Sequence, residues 1–182
     1  MGANLPPRRP VTPVAASAGS GKRSNDSTII VSNRQRTKNI NGRSLKLITA
    51  ALMEELGIEN AELGIALVGA REMARVNWQF LQHVGSTDVI TFDHSEGGHP
   101  QTVHGELFIC VDDAVKQARQ FGASWQAEVV RYVVHGVLHL LGHDDLEPGR
   151  RREMKRAENR LVRRLAKRFS LAQLSRAVKL VP

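Results

Sequence analysis

The chain has 182 residues, a length that fits one domain with a single core rather than two. Aromatic residues make up only 4% of it, so we expect an aliphatic core, and its one cysteine excludes an intramolecular disulfide and a multi-cysteine zinc site. Cys110 lies in an apolar run and is expected to be a buried structural thiol, in keeping with a reducing, cytoplasmic setting.

The net charge of +8 is distributed unevenly along the chain. Eight Lys and Arg residues against one acid occupy residues 1–43, and twelve against two occupy residues 150–182, whereas residues 44–149 carry fifteen acids against six bases. An acidic centre between basic ends favours a metal-binding core flanked by surfaces that attract polyanions, with nucleic acid as the leading class of partner. A solubilising tail and a solvated helix face are the alternative interpretation.

The two ends of the chain differ in composition from its middle. Residues 1–27 are rich in Pro, Ser, Ala, Gly and Arg and are expected to form a disordered basic tail, although an organelle transit peptide has a similar composition. We expect one domain over residues 28–168 and a C-terminal extension over residues 169–182. No segment approaches the roughly 18 consecutive apolar residues of a membrane span, so no membrane partner is expected.

Hydrophobic periodicity predicts the elements of the domain in chain order. Alternating or continuous apolar runs predict four strands, at residues 28–31, 63–68, 88–92 and 106–111. Apolar residues at helical spacing predict five helices, at residues 45–56, 70–81, 112–121, 125–141 and 149–168. A loop rich in Gly and His is expected over residues 94–104. This order predicts an α/β (α+β) sandwich, with a four-stranded mixed sheet and a long helix near its centre.

The segment from Val133 to Asp145 carries the clearest chemical signal. His135 and His139 are four residues apart on a predicted helix, so both imidazoles lie on one face, one turn apart. Gly142 allows the helix to end and the chain to turn back, which can bring Asp145 to the same point. His143 also follows Gly142, but only by one residue, where its side chain is expected to point outward.

These residues together are more informative than each one alone. An i, i+4 pair is unremarkable in a chain with seven histidines, and Asp145 could simply cap a helix end. Their occurrence together indicates a shared ligand, because a polar side chain without a partner is costly in an otherwise apolar helix. Two imidazoles, one carboxylate and an open position form a catalytic zinc arrangement. We therefore predict one zinc ion bound by His135, His139 and Asp145.

The same histidine spacing occurs in a group of zinc proteases. Those enzymes need a Glu directly after the first histidine to deprotonate the attacking water. Gly136 occupies that position in this chain, so the protease base is absent. Peptide hydrolysis by that route is not expected.

Residues 135–145 resemble the signature of the YbeY endoribonucleases, H-G-x-L-H-L-x-G-[YH]-D-H, up to its last position. Residues 86–92 are similar to the family's [PS]-T-[DN]-V-[LI]-[ST]-F strand and residues 105–110 to its G-[DE]-[IL] strand. The resemblance covers about residues 28–168. It implies an α/β sandwich that binds one zinc-like ion and cleaves single-stranded RNA. It also implies a cytoplasmic role in maturation of the ribosomal RNA of the small subunit and in ribosome quality control.

Two positions depart from the family pattern. The family's last histidine ligand falls on Asp145, and carboxylate is an acceptable zinc ligand. An Arg that many members carry before the T-D-V strand falls on Leu81, so the group that steadies the phosphate must come from elsewhere. Arg131, one turn before His135, is the candidate, and we predict it as a catalytic residue beside His135 and His139. Its alternative is an ordinary exposed helix arginine.

Other polar residues have two interpretations each. Thr87 and Asp88 begin a strand, where they either form a turn or line a cleft. His94, His99 and His104 lie in the predicted loop and are treated as non-ligands, because no helical spacing fixes them.

The expected function is metal-assisted cleavage of RNA phosphodiesters, in which either hydroxide or the 2′-hydroxyl of the RNA attacks phosphorus. Cations of the last predicted helix and of the N-terminal tail are expected to bind the RNA backbone. On that helix, we expect this role for Arg151, Arg152, Lys155 and Arg156. One alternative is a zinc peptidase, against which Gly136 argues. The other is a non-catalytic ribosome assembly factor that keeps the metal for folding, which the loss of the arginine at Leu81 favours.

Overall fold

The computed structural model describes residues 27–95 and 101–175. The expected tail up to residue 26, His99 of the expected loop and the last seven residues of the expected C-terminal extension lie outside the described residues.

Every predicted strand and helix is present within these ranges. The strands are β1 (Thr28–Asn33), β2 (Asn60–Val68), β3 (Val89–Asp93) and β4 (Thr102–Cys110). The helices are α1 (Gly42–Leu56), α2 (Ala70–Leu81), α3 (Val111–Phe121), α4 (Trp125–Leu140) and α5 (Pro148–Arg168), followed by a short 3₁₀ turn at Leu171–Leu174.

The four strands form one mixed sheet, as predicted, in the order β1-β2-β4-β3. Strands β1, β2 and β4 run parallel, and β3 pairs antiparallel with β4. Residues 102–104, expected in a loop, are instead the start of β4. They pair with residues 60–62 of β2, which satisfies their backbone groups, and Val103 is buried in the core.

Helix α4 lies against one face of the sheet, in contact with β3 and β4 and flanked by α1, α3 and α5. Leu107 and Ile109 of β4 belong to the large aliphatic cluster on this face, whereas Cys110 belongs to a smaller cluster on the other face with Met73 of α2. The prediction of a buried structural thiol at Cys110 is confirmed, and burial raises the pKa of this thiol to about 12.

Two glycines allow α4 to approach the sheet closely. A Cβ atom at Gly136 would lie 2.7 Å from Cδ2 of Leu107. A Cβ atom at Gly105 would lie 2.5 Å from the carbonyl oxygen of Phe92 and 2.8 Å from Cδ2 of Leu140. Because the buried side of α4 is pressed against β4, residues 131, 135 and 139 form a partly exposed stripe along another side of the helix.

The chain after α5 packs back onto the domain. Leu174 is fully buried, its carbonyl oxygen accepts a hydrogen bond from the Asn41 amide at 2.8 Å, and Ser175 forms an isolated bridge with Ile40. Within the described ranges, no helix is long and apolar enough to cross a membrane.

Candidate metal centre

Helix α4 brings two histidines together at one edge of the sheet. It begins after Ser124, whose side-chain oxygen accepts a hydrogen bond from the Ala127 amide at 3.2 Å and so caps the helix. His135 and His139 lie one turn apart on the partly exposed stripe, and their Nε2 atoms are 3.0 Å from each other. The structure therefore places the two side chains that the sequence singled out at one point.

The third residue arrives from the turn between α4 and α5. Gly142 adopts a left-handed conformation, with φ of +82°, that other residues rarely adopt, and the chain reverses there. Asp145 then places its carboxylate oxygens 4.0 Å from Nε2 of His135 and 3.9 Å from Nε2 of His139. Arg151 of α5 donates a hydrogen bond from Nε to the carbonyl oxygen of Asp145 at 2.8 Å, which fixes this part of the backbone.

The partners of the outer ring nitrogens determine which nitrogens face the site. Nδ1 of His135 lies 3.2 Å from a carboxylate oxygen of Glu158, and Nδ1 of His139 lies 3.0 Å from the carbonyl oxygen of His143. Both partners are acceptors, so each Nδ1 carries a proton and donates it. Each Nε2 is then directed toward the other, and two nitrogens this close require a shared proton or a metal ion between them.

This donor set fits a metal ion. The ligand atoms of His135, His139 and Asp145 all lie within 4.8 Å of one another, the one such group of three within the described residues. Ligands of tetrahedral zinc stand about 2.0–2.2 Å from the ion and hence about 3.3–3.6 Å from each other. The histidine nitrogens are close to this spacing, and the Asp145 oxygens, at 3.9 and 4.0 Å from them on a side chain that is 38% exposed, stand slightly beyond it.

His143 contributes its backbone rather than its ring. Its carbonyl oxygen holds His139, while the residue lines a separate small depression with Asp144 and Arg150. The structure thus brings Asp145, and not the ring of His143, to the histidine pair.

Glu158 of α5 is a buried acid behind the site. Its side chain is 4% exposed, and while one oxygen faces His135 the other accepts a hydrogen bond from Nη1 of Arg131 at 2.6 Å. Burial alone would raise the pKa of this carboxyl, but hydrogen bonds from His135 and Arg131 outweigh burial and lower the pKa from 4.5 to about 2. The ionised carboxylate therefore orients the His135 ring from behind, as carboxylates do in many metal sites.

Sequence reasoning missed Glu158, although a signal was present. Met154, Leu161 and Leu165 mark the buried stripe of α5, and residue 158 falls on the same stripe. An acid at a core position of an otherwise basic amphipathic helix needs a partner inside the protein. This alone would have marked Glu158 as a residue of interest, without identifying His135 as its partner.

Arg131 lies one turn before His135, as expected, but it is not an ordinary exposed arginine. Its Nη1 donates to Glu158 and, at 2.9 Å, to the side-chain oxygen of Asn159, and its Nε lies 3.6 Å from a carboxylate oxygen of Glu128. Its Nη2 donates no hydrogen bond to any residue that the structure describes. One edge of the guanidinium is therefore available to a ligand.

A cavity of about 540 Å³ opens beside His135. Arg131 and Glu158 line it, together with Asp88 at the entry to β3. One carboxylate oxygen of Asp88, Oδ1, accepts hydrogen bonds from the Val89 amide and the Thr87 hydroxyl, both at 3.0 Å. Of the two interpretations of this pair, Asp88 therefore lines a cleft, and Thr87 supports it.

A second cavity of about 420 Å³ is lined by one face of α5. Asn159 lines both cavities, so the two adjoin. We call the second one the α5 groove, and its other lining residues are all cationic: Arg156, Arg160, Arg163, Arg164 and Lys167.

The sequence profile of the endoribonuclease YbeY family matches residues 30–166. The chain belongs to this family. An endoribonuclease YbeY from Chlorobium phaeovibrioides is 35% identical over 119 residues, which are 65% of this chain and 78% of that protein. An endoribonuclease YbeY from Bacteroides thetaiotaomicron is 38% identical over 118 residues, 65% of this chain and 81% of that protein.

The fold has a counterpart among solved structures. The solution structure of a Thermotoga maritima protein superposes with a TM-score of 0.61, covering 85% of this chain and 100% of that one, at 23% sequence identity. This likeness, together with the mixed four-stranded sheet, confirms the predicted single-domain α/β sandwich.

Leu81, from the family resemblance, and the loop histidines His94 and His104 lie away from the histidine pair. Leu81, at the position of the family arginine, is 47% exposed at the end of α2 and does not line the cavity beside His135. His94 and His104 stack edge to face, with ring centroids 5.6 Å apart, and line a separate small cavity with Glu62. His104 Nε2 lies 3.7 Å from a carboxylate oxygen of Glu62.

Proposed function

We propose that this protein is a zinc-dependent endoribonuclease that cleaves single-stranded regions of ribosomal RNA, in the cytoplasm, during maturation and quality control of the small ribosomal subunit. Its membership of the YbeY family supports the cleavage of RNA. The observation that carries the proposal is spatial: the cavity beside the candidate metal ligand His135 adjoins a groove lined by five cations.

The α5 groove has the charge that an RNA backbone requires. Four of its cations, Arg156, Arg160, Arg163 and Lys167, make no ion pair with any of the described residues, whereas Arg164 binds Glu55 at 2.8 Å. Unpaired cations bind phosphates with release of counterions, which makes affinity depend steeply on salt. An RNA strand bound in this groove would pass Asn159 and enter the cavity beside His135.

The protein side of the chemistry follows from the positions of the ligands. His135, His139 and Asp145 would hold the ion through two imidazoles and one carboxylate, which leaves a coordination position open. An ion held there would lower the pKa of its bound water toward about 7 and would polarise a phosphoryl oxygen. Glu158 keeps the His135 ring in the tautomer that directs Nε2 into the site.

Arg131 is our candidate for the residue that steadies the scissile phosphate, since Leu81 cannot do so. Its Nη1 and Nε are used by Glu158, Asn159 and Glu128, and Nη2 is left to donate to a phosphate in the cavity beside His135. Because the same guanidinium holds Glu158, Arg131 serves both to orient the His135 ring and to bind substrate.

A peptidase function is disfavoured by the packing of α4 as well as by the residue type at position 136. Gly136 faces β4, and a Cβ there would lie 2.7 Å from Leu107. A Glu at this position would be forced into the core and could not serve as a base beside the histidine pair. The protease arrangement is therefore incompatible with this helix–sheet contact.

The test compares three substrates with metal-replete protein: structured RNA with single-stranded ends, the corresponding duplex, and an unstructured protein such as casein. We expect cleavage of the single-stranded RNA only, and loss of cleavage when the metal is chelated. Intact RNA with degraded casein would indicate a peptidase. Intact RNA and intact casein, with a protein that unfolds on chelation and cosediments with small ribosomal subunits, would indicate a non-catalytic assembly factor.

A further inference from the structure

We propose that the cavity beside His135 is a nucleobase subsite, in which Phe121 stacks on a base and Asp88 accepts a hydrogen bond from the exocyclic amino group of that base. The inference rests on the proposed cleavage of RNA and names the part of the substrate that this cavity would recognise. It predicts a preference for bases that carry an amino group over uracil.

Phe121 is placed as a stacking platform. It ends α3, lines the cavity together with His135, and is 69% exposed. It makes no ring contact with another aromatic residue among those the structure describes. An apolar ring left in water at the wall of a polar cavity is a surface on which an unpaired base stacks readily, and such stacking is a common mode of single-strand recognition.

The charges separate the place of the base from the place of the backbone. In the cavity, the three acids Asp88, Glu128 and Glu158 face only two cations, Arg131 and Lys155, so the lining has no excess of positive charge. The adjoining α5 groove has cations without acids among its lining residues. Most phosphates of a bound strand therefore favour the groove. Within the cavity only the scissile phosphate has a cationic partner, Arg131, and the rest of the space is better suited to a neutral group such as a base.

Asp88 supplies the acceptor that distinguishes one base from another. Its Oδ1 is used by Val89 and Thr87, but its Oδ2 makes no hydrogen bond or ion pair with the described residues. A carboxylate oxygen accepts from the amino group of cytosine and repels the carbonyl oxygen that uracil carries at the same position. The cavity volume of about 540 Å³ is within the roughly 300–1,000 Å³ of sites for small ligands.

The experiment measures binding of three single strands of equal length and charge by fluorescence anisotropy. The strands are an oligo(dC), an oligo(dU) and a fully abasic deoxyribose-phosphate chain, so only the bases differ. We expect the wild type to bind oligo(dC) about 5- to 150-fold more tightly than the abasic strand. Phe121→Ala should lose most of this ratio, Phe121→Tyr should keep it, and the control Trp78→Ala, another exposed aromatic residue that does not line the cavity, should keep it too.

The second ratio tests Asp88. The wild type should favour oligo(dC) over oligo(dU) by about tenfold or more, since hydrogen bonds to charged groups are strong. Asp88→Asn keeps an oxygen for Val89 and Thr87 but loses the charged acceptor, so this preference should disappear while the ratio to the abasic strand remains. A Phe121→Ala variant with the wild-type ratio to the abasic strand would overturn the subsite. Because binding is measured apart from cleavage, a protein that binds in this pattern but cleaves no RNA would refute the proposed function and keep the subsite.

Discussion

The carboxylate of Glu158 lies 3.2 Å from Nδ1 of His135, and it is this contact that turns the other nitrogen of the ring, Nε2, toward His139 and Asp145. The acid is itself held by Nη1 of Arg131 at 2.6 Å. A buried carboxylate therefore connects α5 to the candidate ligands on α4 and makes their geometry dependent on the packing of the two helices.

The first prediction concerns metal affinity. Glu158→Gln removes the charged acceptor that orients the His135 ring and fixes its tautomer, so zinc affinity should fall about 10- to 100-fold. A chelating dye in competition with the purified protein measures this. Glu153→Gln, on an exposed part of the same helix, is the matched control and should leave affinity unchanged. Equal affinities for both variants would show that Glu158 is only a structural ion-pair partner.

The second prediction concerns stability in acid. The pKa of Glu158 in the folded protein is about 2, below its ordinary value of 4.5. A carboxyl with a lowered folded-state pKa contributes stability that is complete above the unfolded-state pKa and is lost as pH falls through the interval between the two. The free energy of unfolding of metal-free protein, measured in urea, should therefore fall between pH 4.5 and 2 more steeply for the wild type than for Glu158→Gln. Parallel curves would contradict the assignment.

The histidine pair was predictable because its geometry is local. Four residues on a helix fix the relation of His135 to His139, and Gly142 indicates where the chain reverses before Asp145. The contact between Glu158 and His135 could not be predicted in the same way, because it depends on how α5 packs against α4. A burial pattern marks position 158 as special but does not name its partner.

The bounds of β4 show the same difference between what local sequence predicts and what depends on packing. The apolar residues after Gly105 predicted the core of β4, whereas residues 102–104 hold a single apolar side chain, Val103, and join the strand where β2 offers backbone partners and the core receives Val103. Likewise the cations of α5 were predicted to bind RNA as a set. Of the four named, Arg151 donates a hydrogen bond to the carbonyl oxygen of Asp145 and Lys155 lies 3.5 Å from Glu158, whereas Arg152 and Arg156 make no ion pair with a described residue.

The third prediction is that Asp145, and not His143, binds the metal. Asp145→Ala should release the ion or weaken its binding by orders of magnitude, because a carboxylate within 4.0 Å of both imidazoles is lost. His143→Ala should retain the ion, since its carbonyl oxygen still holds His139. Asp145→His should keep a bound ion by restoring the ligand common in the family. Metal content of the purified variants decides the matter, and loss in His143→Ala alone would reverse the assignment.

The fourth prediction concerns the α5 groove. Replacing its four unpaired cations, Arg156, Arg160, Arg163 and Lys167, with Ala should weaken binding of single-stranded RNA and reduce the slope of log affinity against log salt by about 0.7 per lost phosphate contact. Metal content should not change. A variant that lacks four exposed cations elsewhere, Arg43, Lys46, Arg71 and Arg75, is the control. The same slope in both variants would mean that α5 faces something other than RNA.

The fifth prediction concerns the close approach of α4 to the sheet. Gly136→Ala adds a Cβ that would lie 2.7 Å from the terminal Cδ2 of Leu107, in a part of the core where Leu107 is fully buried. Such overpacking costs about 1–3 kcal/mol, which outweighs the gain of about 1 kcal/mol that alanine brings to a helix interior. We therefore expect Gly136→Ala to lower the free energy of unfolding, measured in urea.

Gly149→Ala is the matched control for this substitution. Gly149 also lies in a helix, near the start of α5, but a Cβ there would meet no atom within 4 Å. Alanine should therefore stabilise the helix there without a packing cost. The free energy of unfolding of this variant should equal that of the wild type or exceed it by up to about 1 kcal/mol. If Gly136→Ala were stabilised to the same extent, Leu107 would have room to move aside. The packing argument against a Glu at position 136 would then fail, and with it the structural objection to a peptidase.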